Sequence, residues 1–148
     1  MLLPWEWKTK LYADRHHAGR ELAKHLVDYA GKNTVILALP RGGVTIGYEL
    51  AKALHCPLEI IIARKIGLPQ NPEFGIGAIG EKDTRILDDR IIDLVGIPKN
   101  ILEDIIKKEQ LELKRRIKLY RKNRPLQNLK DRTVILVDDG LATGVTAK

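Results

Sequence analysis

The feature that most constrains this chain is residues 133–146, which read Thr-Val-Ile-Leu-Val-Asp-Asp-Gly-Leu-Ala-Thr-Gly-Val-Thr. The first five residues are β-branched or apolar, which predicts a strand in the centre of a parallel sheet that is covered on both faces. Asp138 and Asp139 follow at the carboxyl end of that strand, where open α/β sheets bind their ligands. Gly140 and Gly144 allow tight bends, so the stretch predicts a strand, an acidic pair and a phosphate-binding loop.

A second segment repeats this pattern earlier in the chain. Residues 34–39 are predicted to form a buried strand, and Pro-Arg-Gly-Gly follows at residues 40–43. A helix is predicted next, with an inward face of Ile46, Leu50, Ala53 and Leu54. A glycine turn that opens a helix at a strand's carboxyl end is typical of an anion site, and the guanidinium of Arg41 suits phosphate.

Together these segments resemble type I phosphoribosyltransferases, whose motif for phosphoribosyl pyrophosphate (PRPP) is an apolar run, two acids, a short loop and Thr-Gly-x-Thr. The resemblance implies that Asp138 and Asp139 are the catalytic acids and bind the ribose hydroxyls. It also implies a 5′-phosphate site made of Gly140, Leu141, Ala142, Thr143, Gly144 and Thr146. The alternative is an ordinary strand–turn–helix joint with Asp caps, but paired acids before Thr-Gly-x-Thr are more than a turn needs.

The same resemblance implies a pyrophosphate site in the earlier turn. In the family this loop holds the pyrophosphate of PRPP, often through an unusual cis peptide, which assigns the role here to Arg41, Gly42 and Gly43. Residues 57–63 are predicted to form a third strand that ends at Arg64 and Lys65, two cations that would approach the diphosphate. A structural turn and a solvated strand end are the respective alternatives.

Residues 66–84 are rich in Gly and Pro, which predicts a long loop. The resemblance implies a mobile lid that closes over PRPP and keeps water from the cationic sugar of the transition state. Residues 76–81 within this segment are predicted to form a short strand. Residues 85–88, which follow the segment, are predicted to form another. Glu81 is predicted to be an exposed loop charge, with a catalytic or metal-linked carboxylate as the alternative.

Two helical regions flank these strands. Residues 1–31 are predicted to form an N-terminal arm and a helix, which Asp14 caps and whose buried face is Ala18, Leu22, Leu26 and Tyr29. A short helix at residues 89–95 is predicted to close at Gly96. A long helix is predicted from Pro98 to Pro125, with a buried stripe of Leu102, Ile106, Leu113, Ile117 and Tyr120.

The outer face of the long helix is basic. Between residues 103 and 124, nine Lys and Arg outnumber four Asp and Glu, an excess of five (nine minus four). A solvated face with intrahelical ion pairs is the favoured interpretation. Nucleic-acid binding through residues 107–124 is the alternative, without interleaved aromatic residues to support it.

Length and composition indicate a single globular domain over residues 1–148. No apolar run reaches the length of a membrane span. Cys56 is the only cysteine, so a reducing cytoplasm is the simplest compartment. The formal net charge of +7 suits polyanionic small substrates as well as nucleic acid.

The implied fold is α/β, a parallel sheet flanked by helices as in type I phosphoribosyltransferases. Because the sequence stops two residues after the motif, the usual C-terminal helix and strands are expected to be absent. The strand at residues 133–137 would then have an open edge and an apolar face, which predicts a homo-oligomer.

The implied function is Mg²⁺-dependent transfer of a 5-phosphoribosyl group from PRPP to a nitrogen acceptor, a nucleobase, with release of pyrophosphate. No direct protein metal site is expected, because Mg²⁺ would be held through PRPP, with Asp138 as an additional ligand. A regulatory module that binds PRPP or a nucleotide without turnover is the alternative. A membrane partner is not expected.

Overall fold

The computed structural model describes residues 11–31 and 33–140. Residues 1–10 of the predicted arm, and Leu141, Ala142, Thr143, Gly144 and Thr146 of the predicted 5′-phosphate loop, lie outside the described residues. The strands are β1 (Thr34–Ala38), β2 (Leu58–Ile60), β3 (Ala63–Gly67), β4 (Gly75–Gly80), β5 (Arg85–Leu87) and β6 (Thr133–Val137). The helices are α1 (Arg15–His25), a 3₁₀ turn (Val27–Tyr29), α2 (Gly42–Leu54), α3 (Asp89–Val95) and α4 (Lys99–Arg121).

The predicted parallel sheet flanked by helices is confirmed. Its strand order is β2-β1-β6, and β1 is parallel to both neighbours. All five residues of β1 are buried, as expected of an apolar strand with a partner on each side. Helix α2 packs on this sheet, and α1 packs on α2.

Helix α1 begins where the sequence predicts but buries a different face. The side chain of Asp14 accepts a hydrogen bond of 2.7 Å from the backbone N–H of His17, which confirms the predicted cap. The buried residues are Gly19 and Ala23, whereas Leu22 and Tyr29 are exposed. Of the predicted face, Leu26 packs against the core and Ala18 is half-buried. The prediction was wrong for Leu22 and Tyr29, because the helix ends at His25 and because Gly19, with no side chain, lies against α2.

A second, antiparallel sheet of order β3-β4-β5 follows, which the sequence did not predict as a unit. Its apolar face packs on α3 and α4 around a core that includes Ile62, Ile66, Ile76 and Ile106. The third strand predicted at residues 57–63 is present as β2, but its extent is wrong, because β2 ends at Ile60 and Arg64 and Lys65 lie within β3. Within the predicted loop at residues 66–84, β4 confirms the short strand predicted at residues 76–81, and β5 confirms the one predicted at residues 85–88.

The other predicted helices are confirmed, with differences in where they end and in which residues they bury. Helix α3 closes at Gly96, and α4 follows Pro98 but ends at Arg121, before Pro125. Leu102, Ile106 and Leu113 of the predicted stripe are buried, with Ile117 and Tyr120 partly buried against the same core. In α2, Ile46, Leu50 and Leu54 are buried as predicted, whereas Ala53 is exposed. None of the helices in the described residues could span a membrane.

Strand β6 is less buried than its sequence predicts. Among the described strands it has one neighbour, β1, so it lies at an edge of the sheet and not at its centre. Val134 and Leu136 are 39% and 43% exposed, although Val137 is buried against α2. The prediction of a central strand covered on both faces is therefore wrong within the described part of the chain.

Candidate functional site

The carboxyl ends of β1 and β6 lie side by side. The two strands pair in register from Thr34 with Thr133 to Ala38 with Val137. The backbone N–H of Leu39 continues this ladder with a 2.8 Å hydrogen bond to the carbonyl of Val137. The two turns that follow therefore start from adjacent positions, as a shared ligand site requires.

Glycine allows the two turns to touch. An ideal Cβ on Gly43 would lie 2.5 Å from the carbonyl oxygen of Val137 and 3.0 Å from Cα of Asp138. A Cβ on Gly42 would lie 1.9 Å from Oδ2 of Asp139. Only residues without a Cβ fit there. The peptide between Pro40 and Arg41 is cis, which agrees with the geometry that the family resemblance implies for this turn.

In each of the two acids, one oxygen accepts a hydrogen bond, and no donor among the described residues bonds to the other oxygen. Oδ1 of Asp138 accepts a 2.8 Å hydrogen bond from the backbone N–H of Asp139. Oδ2 of Asp139 accepts two hydrogen bonds from Arg15, 3.0 Å from Nε and 2.6 Å from Nη2. The free oxygens are acceptors of the kind that two sugar hydroxyls or a hard cation would use.

Arg15 also sets the charge state of this pair. Its hydrogen bonds to Asp139 lower the pKa of that carboxyl below the ordinary value, and its positive charge acts in the same direction, while partial burial opposes both. Asp139 additionally lies against the first turn of α2, where the helix dipole favours an anion. Asp139 is therefore ionised near neutral pH.

A cleft of 330 Å³ opens beside the acids. Its lining is mostly apolar, and the residues that matter for the site are Asp138, Asp139 and Gly140 at one end. Arg41, although it borders the turn, is exposed and does not line this cleft. Gly42 and Gly43 do not line this cleft either, and it is the contact between the two turns that brings them together with Asp138 and Asp139.

Arg64 and Lys65 lie in the second sheet, not at the end of a parallel strand. Arg64 pairs with Glu109 of α4 at 2.7 Å, and Lys65 pairs with Glu73 at 3.0 Å. Both cations line a separate cleft of 340 Å³ beside the β3–β4 connection. Their predicted placement was wrong because β2 and β3 are separate strands, and their role toward the diphosphate stays a prediction.

Glu81 is not the exposed loop charge that the sequence predicts. One of its oxygens accepts a 2.9 Å hydrogen bond from the backbone N–H of Ile62, and the other pairs with Arg121. The Arg121 side chain is 5% exposed and also donates to the carbonyl of Ile60 at 3.1 Å. This buried pair ties α4 to the junction between the two sheets, so Arg121 does not belong to the basic outer face.

Two of the remaining cations of that basic face, Arg115 and Arg116, pair within their own helix. Glu112 accepts hydrogen bonds from Arg115 at 2.7 Å and Arg116 at 2.9 Å, which lower its pKa to about 2. These intrahelical pairs support a solvated face over a nucleic-acid patch. Among the described residues, no group of three or more His, Cys, Asp or Glu could hold a metal ion.

Arg15 is the site residue that sequence reasoning missed. It lies 124 positions before Asp139, and no local pattern connects the two. The one available signal is that Arg15 directly follows the Asp14 cap, which places it on the first turn of a helix. The strand end that this first turn reaches is determined by how the helices pack, and no local sequence pattern predicts that packing.

The chain is similar to known proteins over most of its length. The model of the phosphoribosyl transferase domain matches residues 9–148. Two proteins of Mycobacterium tuberculosis, from strains CDC 1551 and H37Rv and each named "Putative phosphoribosyl transferase", are 42% identical over 139 residues, which is 94% of this chain and 31% of theirs. The crystal structure of TT1426 from Thermus thermophilus is 38% identical with a TM-score of 0.76, over 93% of this chain and 65% of that one. The chain thus spans less than a third of the length of these curated relatives.

Proposed function

The chain belongs to the phosphoribosyl transferase family, and on that premise we propose that it transfers a 5-phosphoribosyl group from PRPP to a nitrogen acceptor, a nucleobase, with release of pyrophosphate. The observation that carries the proposal is the contact between the two turns, in which Gly42 lies directly against the carboxylate of Asp139. This contact joins an acidic pair to the N-terminus of α2. A sugar bound by the acids therefore has its diphosphate beside a helix end that favours anions.

The acids account for the sugar half of the reaction. The free oxygens of Asp138 and Asp139 accept hydrogen bonds from the ribose hydroxyls and fix the ring. As the bond to pyrophosphate breaks, positive charge develops on the sugar, and the negative charge of the acidic pair stabilises it.

The other predicted residues account for the phosphate groups. Gly42 and Gly43 let the diphosphate approach the backbone closely, and Arg41 supplies a positive charge from the solvent side. Gly140 begins the turn assigned to the 5′-phosphate, which would contribute binding energy remote from the reacting bond.

Mg²⁺ fits the donor set without a dedicated protein cage. Carboxylate oxygens are ligands that Mg²⁺ prefers, and Mg²⁺ commonly binds through one or two of them together with substrate phosphates. When bound, the ion would neutralise charge on the leaving diphosphate, with Asp138 as its protein ligand. We place this activity in the cytoplasm, where the buried thiol of Cys56 stays reduced.

Isothermal titration calorimetry with PRPP and Mg²⁺ tests the proposal. We expect saturable heat for the wild type and affinity weaker by about 10-fold to 100-fold in Asp138→Ala and Asp139→Ala, since each removes a charged hydrogen-bond acceptor. Asp104→Ala, an exposed acid on α4, is the matched control and should bind as the wild type does. Absence of heat for the wild type would refute the proposal.

A second measurement separates the enzyme from a binding module. Pyrophosphate release is followed with a panel of nucleobases as acceptors. Release that depends on both PRPP and one base supports the transferase. Saturable PRPP binding without release for any base would instead support the regulatory alternative.

A further inference from the structure

Arg15 stands apart from the residues discussed for the site because it comes from the other end of the chain. It lies on the first turn of α1, and its side chain reaches Oδ2 of Asp139 with two hydrogen bonds, 3.0 Å from Nε and 2.6 Å from Nη2. Both bonds converge on one carboxylate oxygen. No donor among the described residues bonds to the other oxygen of Asp139, and the Asp138 side chain is its neighbour in the acidic pair.

The packing of α1 explains why Arg15 can reach so far. A Cβ on Gly19 would lie 2.7 Å from Cβ of Glu49 and 2.9 Å from the carbonyl of Ile46, so the two helices approach more closely than other residues allow. His16 adds a 2.8 Å hydrogen bond to Glu49 across the same interface. Arg15, one turn before Gly19, is thereby held beside the N-terminal turn of α2 and the end of β6.

Asp139 is fixed from several directions. Arg15 contacts it from α1, Asp138 precedes it on the chain, and the backbone of Gly42 lies against its Oδ2 from α2. The carboxylate cannot turn its engaged oxygen toward the ligand without breaking both bonds to Arg15. The free oxygen is therefore the one presented to a ligand.

Resting on the function proposed above, we propose that Arg15 is a positioning residue that acts through Asp139. It holds one oxygen of Asp139 so that the other faces the ribose, and it offsets one negative charge of the adjacent pair before a polyanionic ligand arrives. Without that offset, two neighbouring carboxylates would repel PRPP more strongly. Arg15 is not assigned a contact with the ligand.

The chain provides a matched control. Arg20 lies on the same helix, its side chain is 57% exposed against 58% for Arg15, and its carboxylate partner is Glu49 at 3.8 Å, away from the acidic pair. Replacing Arg20 removes the same charge from the same helix. A difference between the two positions therefore reports the contact with Asp139 and not the net charge of α1.

The experiment measures PRPP affinity in the presence of Mg²⁺ by calorimetry. We expect Arg15→Gln to bind about tenfold more weakly, Arg15→Lys to recover part of that loss, and Arg20→Gln to match the wild type. Thermal unfolding accompanies each variant. Since the Arg15 side chain is mostly exposed, its unfolding temperature should stay close to that of the wild type.

A double-mutant cycle separates positioning from direct binding. If Arg15 acts through Asp139, Arg15→Gln adds no further loss on an Asp139→Asn background. An equal loss on both backgrounds would show that Arg15 contacts the ligand itself and would overturn the positioning role, as would an Arg15→Gln variant that binds like the wild type. If the wild type does not bind PRPP at all, that result refutes the proposed function together with this inference.

Discussion

Strands β1 and β6 have almost the same sequence and different surroundings. Thr-Val-Ile-Leu-Ala in β1 pairs in register with Thr-Val-Ile-Leu-Val in β6. Every residue of β1 is buried, whereas Val134 and Leu136 of β6 are 39% and 43% exposed. The pair teaches that an apolar β-branched run determines that a strand forms, while the number of neighbours determines how deeply it is buried.

The turn that follows β1 is also more closely packed than the turn that follows β6. Gly43, after β1, lies in direct contact with the backbone of Val137 and Asp138. Gly140, after β6, has no described atom within 4 Å of the position of a Cβ. The β1 turn is thus built into the core of the sheet, and the acids of β6 are positioned by packing against it.

The largest expected difference is between paired leucines of the two strands. Leu37 is 4% exposed and Leu136, its partner in register, is 43% exposed. We expect Leu37→Ala to lower the free energy of unfolding by about 2–5 kcal/mol, because it leaves a buried cavity. Leu136→Ala should cost about 1 kcal/mol or less, because much of that side chain already contacts water. Urea denaturation of both variants measures the difference, and equal losses would show that β6 is as buried as β1.

The glycines of the two turns, Gly43 and Gly140, should show a smaller difference in unfolding free energy. Gly43→Ala places a methyl group 2.5 Å from the carbonyl of Val137, and backbone atoms cannot move aside cheaply. We expect a loss of about 1–3 kcal/mol in unfolding free energy together with weaker PRPP binding, since the turn must move away from Asp138. Gly140→Ala is the matched control and should stay within about 0.5 kcal/mol of the wild type. A neutral Gly43→Ala would contradict the close contact of the two turns.

The sequence predicts the parts of this site that are continuous along the chain. Two apolar strands, each followed by a turn with its characteristic residues, were enough to predict the parallel sheet and the approach of Gly42 and Gly43 to the acids. The parallel arrangement alone places the two strand ends together. Neither inference needed knowledge of how helices pack.

Contacts between distant segments could not be predicted in this way. Arg15 meets Asp139 only because Gly19 lets α1 lie close on α2. Glu81 is buried because Arg121, 40 residues later, pairs with it at the junction of the sheets. In both cases a charged residue in a polar segment looks solvated by sequence, and only tertiary packing supplies its partner.

The break between β2 and β3 shows a further limit. Residues 58–66 contain apolar residues on both sides of Ile61 and Ile62, with no Gly or Pro to mark an end. The chain nevertheless leaves the parallel sheet after Ile60 and begins an antiparallel sheet at Ala63. The prediction from sequence therefore merged two strands and misplaced Arg64 and Lys65.

The smallest expected effect on stability comes from a charge on the open face of β6. We expect Val134→Lys to change the free energy of unfolding by no more than about 0.5 kcal/mol, because Val134 is 39% exposed on an edge strand, where lysine is tolerated.

The same face groups Val134 and Leu136 with Leu126 along a groove of 390 Å³, a surface suited to self-association. Sedimentation velocity at high protein concentration should therefore show oligomers for the wild type and fewer for Val134→Lys. Leu119→Lys, which charges an exposed leucine of α4, is the control and should leave association unchanged. A monomeric wild type would contradict the predicted oligomer, and a strongly destabilised Val134→Lys would show that the face of β6 is covered, so that the contrast with β1 would no longer hold.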